Sequence, residues 1–498
     1  MKATKFVAVF AVFVLLLCSC SSSNNNIETT SDITKNEITL SLPFSATDSL
    51  NPYVAVTKVN QELSMLMYDP LIKLNEKFEP VYYLADDITV DEKTVTIKIK
   101  DADFTDGAKF TAADVEYSLN QAQKGVNRYT AQLENIRYST VLDSKTLTLT
   151  LYEVDPYIIN VLDFPIFKSG TAETKDKNDR IIPPIGCGRF TFEKENGYRL
   201  VSNKGYYGGV SWVSVISLID TPDNESLNHI IEVNAVDAAY SDLSNNLIPK
   251  MSGSQKSLPL GNMVFVGLNL SSNLLSDPGV RIAVSSAMSR KDIAKSAYFG
   301  YATPATGIFP PTWKEAEELQ HINPEQNISE AVAYLEQLGY NSKDNDGYCT
   351  DEIGNRLTLS LIYNSGNSSR KYAAGLIVGY LKKIGIEVIV EEIENFDEYQ
   401  SRIDSGSYEM YIGEVLLGKT MDLRDIFLSD VLGGTTETYT NEMVSAFYDG
   451  TADMSTVISA FVSEMPIIPL CYRSGVFVHS RKIADDPNIS ISDIYSFL

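Results

Sequence analysis

The chain has 498 residues, of which 44% are hydrophobic, and a formal net charge of −24 at pH 7. A chain of this length is expected to form about three domains with sizeable cores. The strong negative charge repels nucleic acid and anionic lipid headgroups, so neither is expected as the main partner.

The N-terminus has the features of an export signal. Lys2 and Lys5 precede an uninterrupted apolar run over residues 6–17, which is too short to span a bilayer. Leu17, Ser19 and Cys20 then resemble a bacterial lipobox, in which a small residue comes directly before a cysteine that receives lipid. We therefore predict a signal peptide over residues 1–19, lipidation of Cys20, and a flexible polar tether over residues 20–36.

The first third of the chain alternates between strand and helix patterns. Period-two alternation predicts strands, and apolar residues three and four apart predict helices. The predicted strands begin at Glu37 and include residues 95–99 and 147–151; the predicted helices include residues 59–67 and one capped by Thr111 with Asp114.

Later segments predict a parallel sheet. A helix pattern from Ser329 ends at Gly339, and the strand "LTLSLIY" begins at Leu357. A helix that ends at Gly385 follows, and then the strand "EVIVEEI". The β-α-β order is typical of parallel pairing and predicts a mixed α/β fold.

One motif suggests nucleotide chemistry. "GEVLLGKT", from Gly413 to Thr420, matches the phosphate-binding loop pattern and follows a predicted strand. A surface hydrolase or NTPase that uses this loop is therefore an alternative function. Against it, Glu414 would place a carboxylate among amides that must bind an anion, and a strand, a turn and a helix start explain the same letters.

The cysteines and histidines give little support for a metal or a disulfide framework. If Cys20 carries lipid and Cys18 leaves with the signal, the remaining Cys187, Cys349 and Cys471 allow at most one disulfide, and the sequence does not decide whether it forms. His479 could bind a metal only with partners that the sequence does not reveal, so nickel or a metallophore stays an alternative ligand.

Five segments, in order, resemble the family 5 extracellular solute-binding proteins, which are the peptide- and nickel-binding subunits of bacterial ABC importers. The segments cover nearly the whole chain after the tether. They are "MYDPLIKLNEKFEPVYYLADD" from Met67, "DADFTDGAKFTAADVEYSLNQA" from Asp101, "PPIGCGRFTF" from Pro183, "DPGVRIAVSSAMSRKDIAKSAYFGYATPATGIFPP" from Asp277 and "PIIPLCYRSGV" from Pro466.

The resemblance implies a two-lobed periplasmic-binding-protein-like fold with mixed sheets, flanking helices, a hinge and an extra domain. Lobe 1 would comprise residues 37–57, 183–264 and 474–498, the extra domain residues 58–182, and lobe 2 residues 265–473. The resemblance further implies a monomer that performs no chemistry, needs no cofactor, and closes on a short peptide or related solute. It would deliver this ligand to a membrane permease from a lipid anchor on the outer face of the cytoplasmic membrane.

The resemblance also indicates which residues line the cleft. These are Phe44, Tyr53, Gly413, Glu414, Leu416, Thr420, Asp422 and Arg473. Arg473 would meet a ligand carboxylate. Family members often hold a peptide's amine with an aspartate near the position of Thr420, so we hypothesise that Glu414, Asp422 or Asp425 replaces it, with Glu414 the first choice. The alternatives are loop packing for Phe44 and Tyr53, a surface ion pair for Arg473, and solvated acids.

Overall fold

The computed structural model describes residues 38–173, 182–194, 197–244, 248–323, 325–428 and 438–498. The predicted signal peptide, the tether and Cys20 lie outside these residues. In the part of the chain described, no helix combines the length and the hydrophobicity needed to cross a bilayer.

The described residues alternate between strands and helices. The strands are β1 Thr39–Phe44, β2 Ile72–Leu74, β3 Pro80–Tyr82, β4 Ala85–Asp91, β5 Thr94–Ile99, β6 Ile136–Val141, β7 Thr146–Leu151, β8 Phe190–Glu193, β9 Arg199–Ser202, β10 Val215–Asp220, β11 Ala238–Ser241, β12 Ser254–Leu268, β13 Ala302–Pro304, β14 Ser342–Lys343, β15 Cys349–Thr350, β16 Thr358–Asn364, β17 Glu387–Ile393, β18 Met410–Leu416 and β19 Ile467–His479. The helices are α1 Lys58–Met67, α2 Ala112–Ala122, α3 Asn224–Glu232, α4 Pro278–Ser286, α5 Arg290–Asp292, α6 Lys314–Glu317, α7 Ile328–Gln337, α8 Ser368–Lys383, α9 Phe396–Asp404, α10 Arg424–Phe427, α11 Tyr439–Tyr448 and α12 Met454–Glu464.

The N-terminal part of the described chain builds two four-stranded sheets. One has the order β1-β10-β9-β8, and the other the antiparallel order β4-β5-β7-β6. The alternation predicted for residues 147–151 is confirmed, since the leucines of β7 are buried and its threonines are half-buried. The predicted cap of α2 is also present, because the Thr111 amide donates to Asp114 Oδ2 at 2.9 Å.

The largest sheet has the order β11-β19-β12-β18-β16-β17, with β13 paired to β19. Strands β16 and β17 are parallel and are connected through α8, so the predicted β-α-β unit is confirmed. Its helix ends before Gly385, whose φ of +88° favours glycine.

The two longest strands of this sheet, β12 and β19, lie next to each other. They pair antiparallel from Ser254 opposite His479 to Gly267 opposite Ile467. The register shifts between Pro259 and Met263, where proline also removes a backbone donor from the ladder. On one side of this irregularity β19 pairs with β11, and on the other side β12 pairs with β18. The irregularity therefore separates two regions of the sheet that have different neighbouring strands.

A buried ionic network fixes the C-terminal segment to the body. Asp493 accepts from Lys73 Nζ at 2.7 Å and from Arg189 Nη2 at 2.8 Å through both of its oxygens. Lys73 also pairs with Asp69 at 3.1 Å, and all four side chains are at least nine-tenths buried. Two positive and two negative charges therefore balance within the core.

The phosphate-loop pattern does not form a loop at its start. Gly413 and Glu414 lie inside β18, which extends to Leu416 and pairs with β12. The lysine of the pattern, Lys419, makes an ion pair with Asp163. The strand, turn and helix start are thus the correct interpretation of these letters, since β18 continues to Leu416 and α10 begins only at Arg424.

The three described cysteines are free thiols. Cys187, Cys349 and Cys471 are each buried, and burial raises the pKa of Cys349 above its ordinary value. The structure therefore answers the question that the sequence left open, because no disulfide joins these three residues.

Candidate ligand-binding site

A charged cluster joins β18, β19 and α8. Arg473 Nη1 donates to Glu414 Oε1 at 2.6 Å, and Arg370 Nη2 lies 3.8 Å from Glu414 Oε2. Asn262 on the neighbouring strand donates to the same Oε1 at 3.1 Å, and Arg473 Nη2 donates to the carbonyl of Asp242 at 2.8 Å. The three charged side chains are only 12–15% exposed, so their attraction is weakly screened.

Among the residues that the structure describes, the strand that carries Glu414 has an open edge beyond Tyr411. Strand β16 pairs with β18 only at Met410 and Tyr411. The Leu417 amide donates to β12, so by the alternation of an antiparallel ladder the backbone groups of Leu416 and Glu414 point the other way. These donors and acceptors can pair with an extended chain placed beside β18.

The segment after β18 is linked to residues near 160. Besides the Lys419–Asp163 pair, the Asn160 amide donates to the Lys419 carbonyl at 3.0 Å. Arg424 pairs with Glu153 at 2.5 Å, and burial lowers the pKa of Lys419. These contacts connect the proposed second lobe with the proposed extra domain.

The structure brings some of the predicted site residues together and leaves others apart. Gly413 is packed so closely that a Cβ would lie 2.5 Å from the Phe265 ring, while Leu416 on the same strand is 65% exposed. Thr420 is half-buried, and Asp422 is held by Arg424 at 2.6 Å.

Phe44 and Tyr53 make their ring contacts with residues outside the charged cluster. Phe44 is buried against Tyr198, with ring centroids 5.0 Å apart. The Tyr53 hydroxyl donates to the Pro165 carbonyl, and its ring meets Tyr129 edge-on. Tyr129 in turn lies 5.8 Å from Lys419 Nζ, which places Tyr53 one ring removed from the segment that follows β18.

Glu62 on α1 is a buried carboxyl that sequence reasoning missed. It is 5% exposed, and its Oε1 has no hydrogen-bond partner among the described residues. Burial raises the pKa of Glu62 to about 8, against the opposing effect of Lys58 and Arg128. In the sequence, the feature that could have revealed this buried carboxyl is an acidic residue at position 62 on the same helical face as the apolar residues 59, 63 and 66.

The hypothesis that Glu414 captures a ligand amine stays a prediction. The structure gives Glu414 two arginine neighbours, so an incoming ammonium would have to share its carboxylate with Arg473 and Arg370. Arg370 was also missed, because one arginine in a helix's first turn has no feature that distinguishes it in sequence. Over the described ranges, no group of three His, Cys, Asp or Glu side chains is arranged to hold a metal ion.

The mixed α/β fold and the charged cluster beside the edge of β18 together indicate a ligand-binding protein. Residues 79–429, most of the chain, match the family described as bacterial extracellular solute-binding proteins, family 5. The chain belongs to this family, and the resemblance stated from its motifs is confirmed.

Individual relatives have low sequence identity to this chain. The glutathione-binding protein GsiB of Salmonella choleraesuis (strain SC-B67) is 26% identical over 317 residues, which is 61% of this chain and 60% of the relative. The match thus spans less than two thirds of that relative's length.

Solved structures share the fold. A nickel ABC transporter protein from Bacillus halodurans superposes with a TM-score of 0.74 at 20% identity, over 92% of this chain and 98% of its own. The oligopeptide-binding protein AppA from Bacillus subtilis, in complex with a nonapeptide, gives 0.56 at 18% identity, over 93% and 98%. The predicted fold class is therefore confirmed.

Proposed function

We propose that this chain is the solute-binding component of an ABC importer and that it captures short peptides or a related small solute. The observation that carries the proposal is the open edge of β18 at Glu414 and Leu416, beside the buried charges of Arg370 and Arg473. A peptide offers backbone donors and acceptors at the spacing of such an edge. Family membership and the glutathione-binding and peptide-binding relatives support this ligand class.

The work of the protein is closure around the ligand and delivery to a membrane permease, without chemistry of its own. We place lobe 2 at residues 265–473, lobe 1 at residues 37–57, 183–264 and 474–498, and the extra domain at residues 58–182. The register irregularity between Pro259 and Met263 is a suitable hinge, because interrupted pairing there permits rotation with little loss of hydrogen bonding. A ligand that contacts both lobes favours the closed form.

The proposal is tested by identifying what the protein binds. Protein purified under native conditions is denatured, and the released small molecules are identified by mass spectrometry. We expect short peptides, and calorimetry with one of them should give one bound molecule per chain and no product. Turnover of the peptide or of ATP, or an absence of any peptide binding, would contradict the proposal.

Removing the outward-facing amide of Leu416 should weaken peptide binding. Leu416→Pro deletes that donor, and we expect about tenfold weaker binding, the effect of one hydrogen bond. Leu416→Ala keeps the amide and removes only the exposed side chain, so it should bind as wild type does. Equal affinities for wild type and Leu416→Pro would show that the edge makes no backbone bond to the ligand.

We also propose that the mature chain begins at lipidated Cys20 and is anchored to the outer face of the cytoplasmic membrane. Leu17 and Ser19 before Cys20, after an apolar run, support this location. In cells labelled with a fatty-acid analogue, Cys20→Ser should abolish labelling, whereas Cys18→Ser should leave it unchanged. Labelling lost only in the Cys18 variant would reassign the anchor.

A further inference from the structure

The largest sheet ends in two strands whose surroundings differ. Strand β11 forms one end, and its residues Ala238, Ala239 and Tyr240 are buried. Strand β17 forms the other end and, among the described residues, pairs only with β16. Ile389 and Val390 in the middle of β17 are 59% and 42% exposed. An uncovered edge with exposed β-branched side chains is a surface to which another strand can be added.

The outer edge of β17 carries backbone groups that can pair with such a strand. The Glu387 amide donates to the carbonyl of the residue before β16 at 2.9 Å, and the Ile393 carbonyl accepts from the residue after β16 at 3.0 Å. Neighbouring residues of a strand direct their backbone groups to opposite sides. The amides and carbonyls of Val388, Val390 and Glu392 therefore point away from β16.

Two acids within β17 already have cationic partners. Glu391 pairs with Arg402 of α9 at 2.9 Å, and Glu392 pairs with Lys371 of α8 at 3.1 Å. The two helices lie on opposite faces of the sheet, because successive side chains of a strand point to opposite sides. Each of these acids is matched by one cation, so the two pairs leave no excess charge at the edge.

The end of β17 leads into a surface depression with an excess of negative charge. The last residues of β17 and the first turn of α9 line this depression. Glu394, Asp397 and Glu398 are exposed there, and none of them has an ion-pair partner among the described residues. Phe396, the first residue of α9, is 56% exposed. The surface thus combines an open strand edge, exposed apolar side chains and uncompensated acids.

We propose that the outer edge of β17 is a docking surface for an extended basic segment of another protein. Such a segment adds to the sheet through its backbone, while its lysine or arginine side chains pair with Glu394, Asp397 and Glu398. A second copy of this chain is a poor occupant, since it would bring its own acids against these. Strand β16 separates β17 from β18, so this surface is distinct from the proposed ligand site.

A basic peptide with a strand-forming sequence tests the surface. The probe is a fluorescein-labelled peptide of alternating lysine and valine with both ends blocked, and fluorescence anisotropy measures its affinity for the wild-type protein. We expect binding at about 50 mM sodium chloride that becomes about tenfold weaker at about 500 mM, because added ions screen the charges. The same peptide with glutamate in place of lysine should not bind. Absence of binding by the lysine peptide, or equal binding of the two peptides, would overturn the proposal.

Backbone variants locate the bound peptide. Val390→Pro removes an outward-facing amide, and proline is tolerated at a sheet edge, so this variant should fold and bind the lysine peptide about tenfold more weakly. Val390→Thr keeps the amide and the β-branched shape, so it should bind as the wild type does. Leu416→Pro, in the proposed ligand site, should also keep the affinity. A loss in Leu416→Pro without a loss in Val390→Pro would place the peptide in the ligand site and overturn the docking surface, while leaving the proposed function intact.

Charge variants test the acids without altering the backbone. Glu394→Gln combined with Glu398→Gln should weaken binding about fivefold, since two exposed ion pairs with the peptide are lost. The matched control is Glu318→Gln combined with Glu336→Gln, which removes the same charge from exposed positions outside β17 and α9 and should not weaken binding. Equal losses in the two double variants would overturn the assignment to this edge.

Sedimentation of the wild-type protein tests the alternative occupant. We expect a monomer, because the acids at the edge of β17 oppose pairing between two copies. A dimer that Val390→Pro abolishes would make a second copy of this chain the occupant and would overturn the basic partner.

Discussion

Asp493→Ala should lower the free energy of unfolding by about 3–5 kcal/mol, the cost of leaving buried charges without their partner. The substitution leaves Arg189 and Lys73 facing one carboxylate, Asp69, inside the core. Burial opposes the ionisation of Asp493, but Arg189 and Lys73 hold its pKa below the ordinary value. Its stabilising effect is therefore complete above about pH 4 and is lost as the pH falls through that lowered pKa.

Urea unfolding at pH 7 measures this effect. The matched control is Asp87→Ala, because Asp87 is 51% exposed and lies 3.8 Å from Lys98, so its loss should change stability by less than about 1 kcal/mol. If the alanine variant does not fold, Asp493→Asn keeps the side-chain shape and should still be destabilised. Equal costs for Asp493→Ala and Asp87→Ala would mean that the network contributes nothing to stability.

Glu62→Gln should instead stabilise the protein, by about 3 kcal/mol at pH 7. The pKa of Glu62 is about 8 in the folded state and 4.5 when exposed. Between these values the unfolded chain releases the proton while the folded protein keeps it, so wild-type stability falls as the pH rises from 4.5 to 8. Glutamine keeps the shape of the protonated acid and does not titrate, so the variant avoids this loss.

The difference between the two proteins should depend on pH in a defined way. It should be near zero at pH 4 and should grow up to about pH 8, when measured by urea unfolding at each pH. Glu336→Gln, on an exposed position of α7, should show no such dependence. A constant difference across this range would show that Glu62 titrates alike in both states.

Local patterns predicted much of the fold. The leucine–threonine alternation of β7, the cap at Thr111 and the β-α-β order around α8 depend on neighbours a few residues apart, and the structure confirms each of them. The length of β18 was not predictable in this way, because its pairing with β12 joins residues far apart in sequence. That pairing turns the first half of the phosphate-loop pattern into strand.

The site was predicted only in part. Glu414 and Arg473 were both identified, and each was assigned to a group of the ligand, but the structure also pairs them with each other. Their meeting depends on the register of β18 and β19 against β12, which no local pattern reveals. Arg370 reaches the same place from α8, and only the assembled sheet brings it beside Glu414.

The central position of β19 determines when the molecule can complete its folding. This strand lies between β11 and β12 and is synthesised after the other described strands of the sheet. Ser254, at the start of β12, therefore has no residue on β19 to pair with until His479 has been synthesised, and such long-range pairing is slow to form. The largest sheet of the described residues therefore stays incomplete until β19 has been made, so the charged cluster of Glu414 and Arg473 is among the last features of the molecule to assemble.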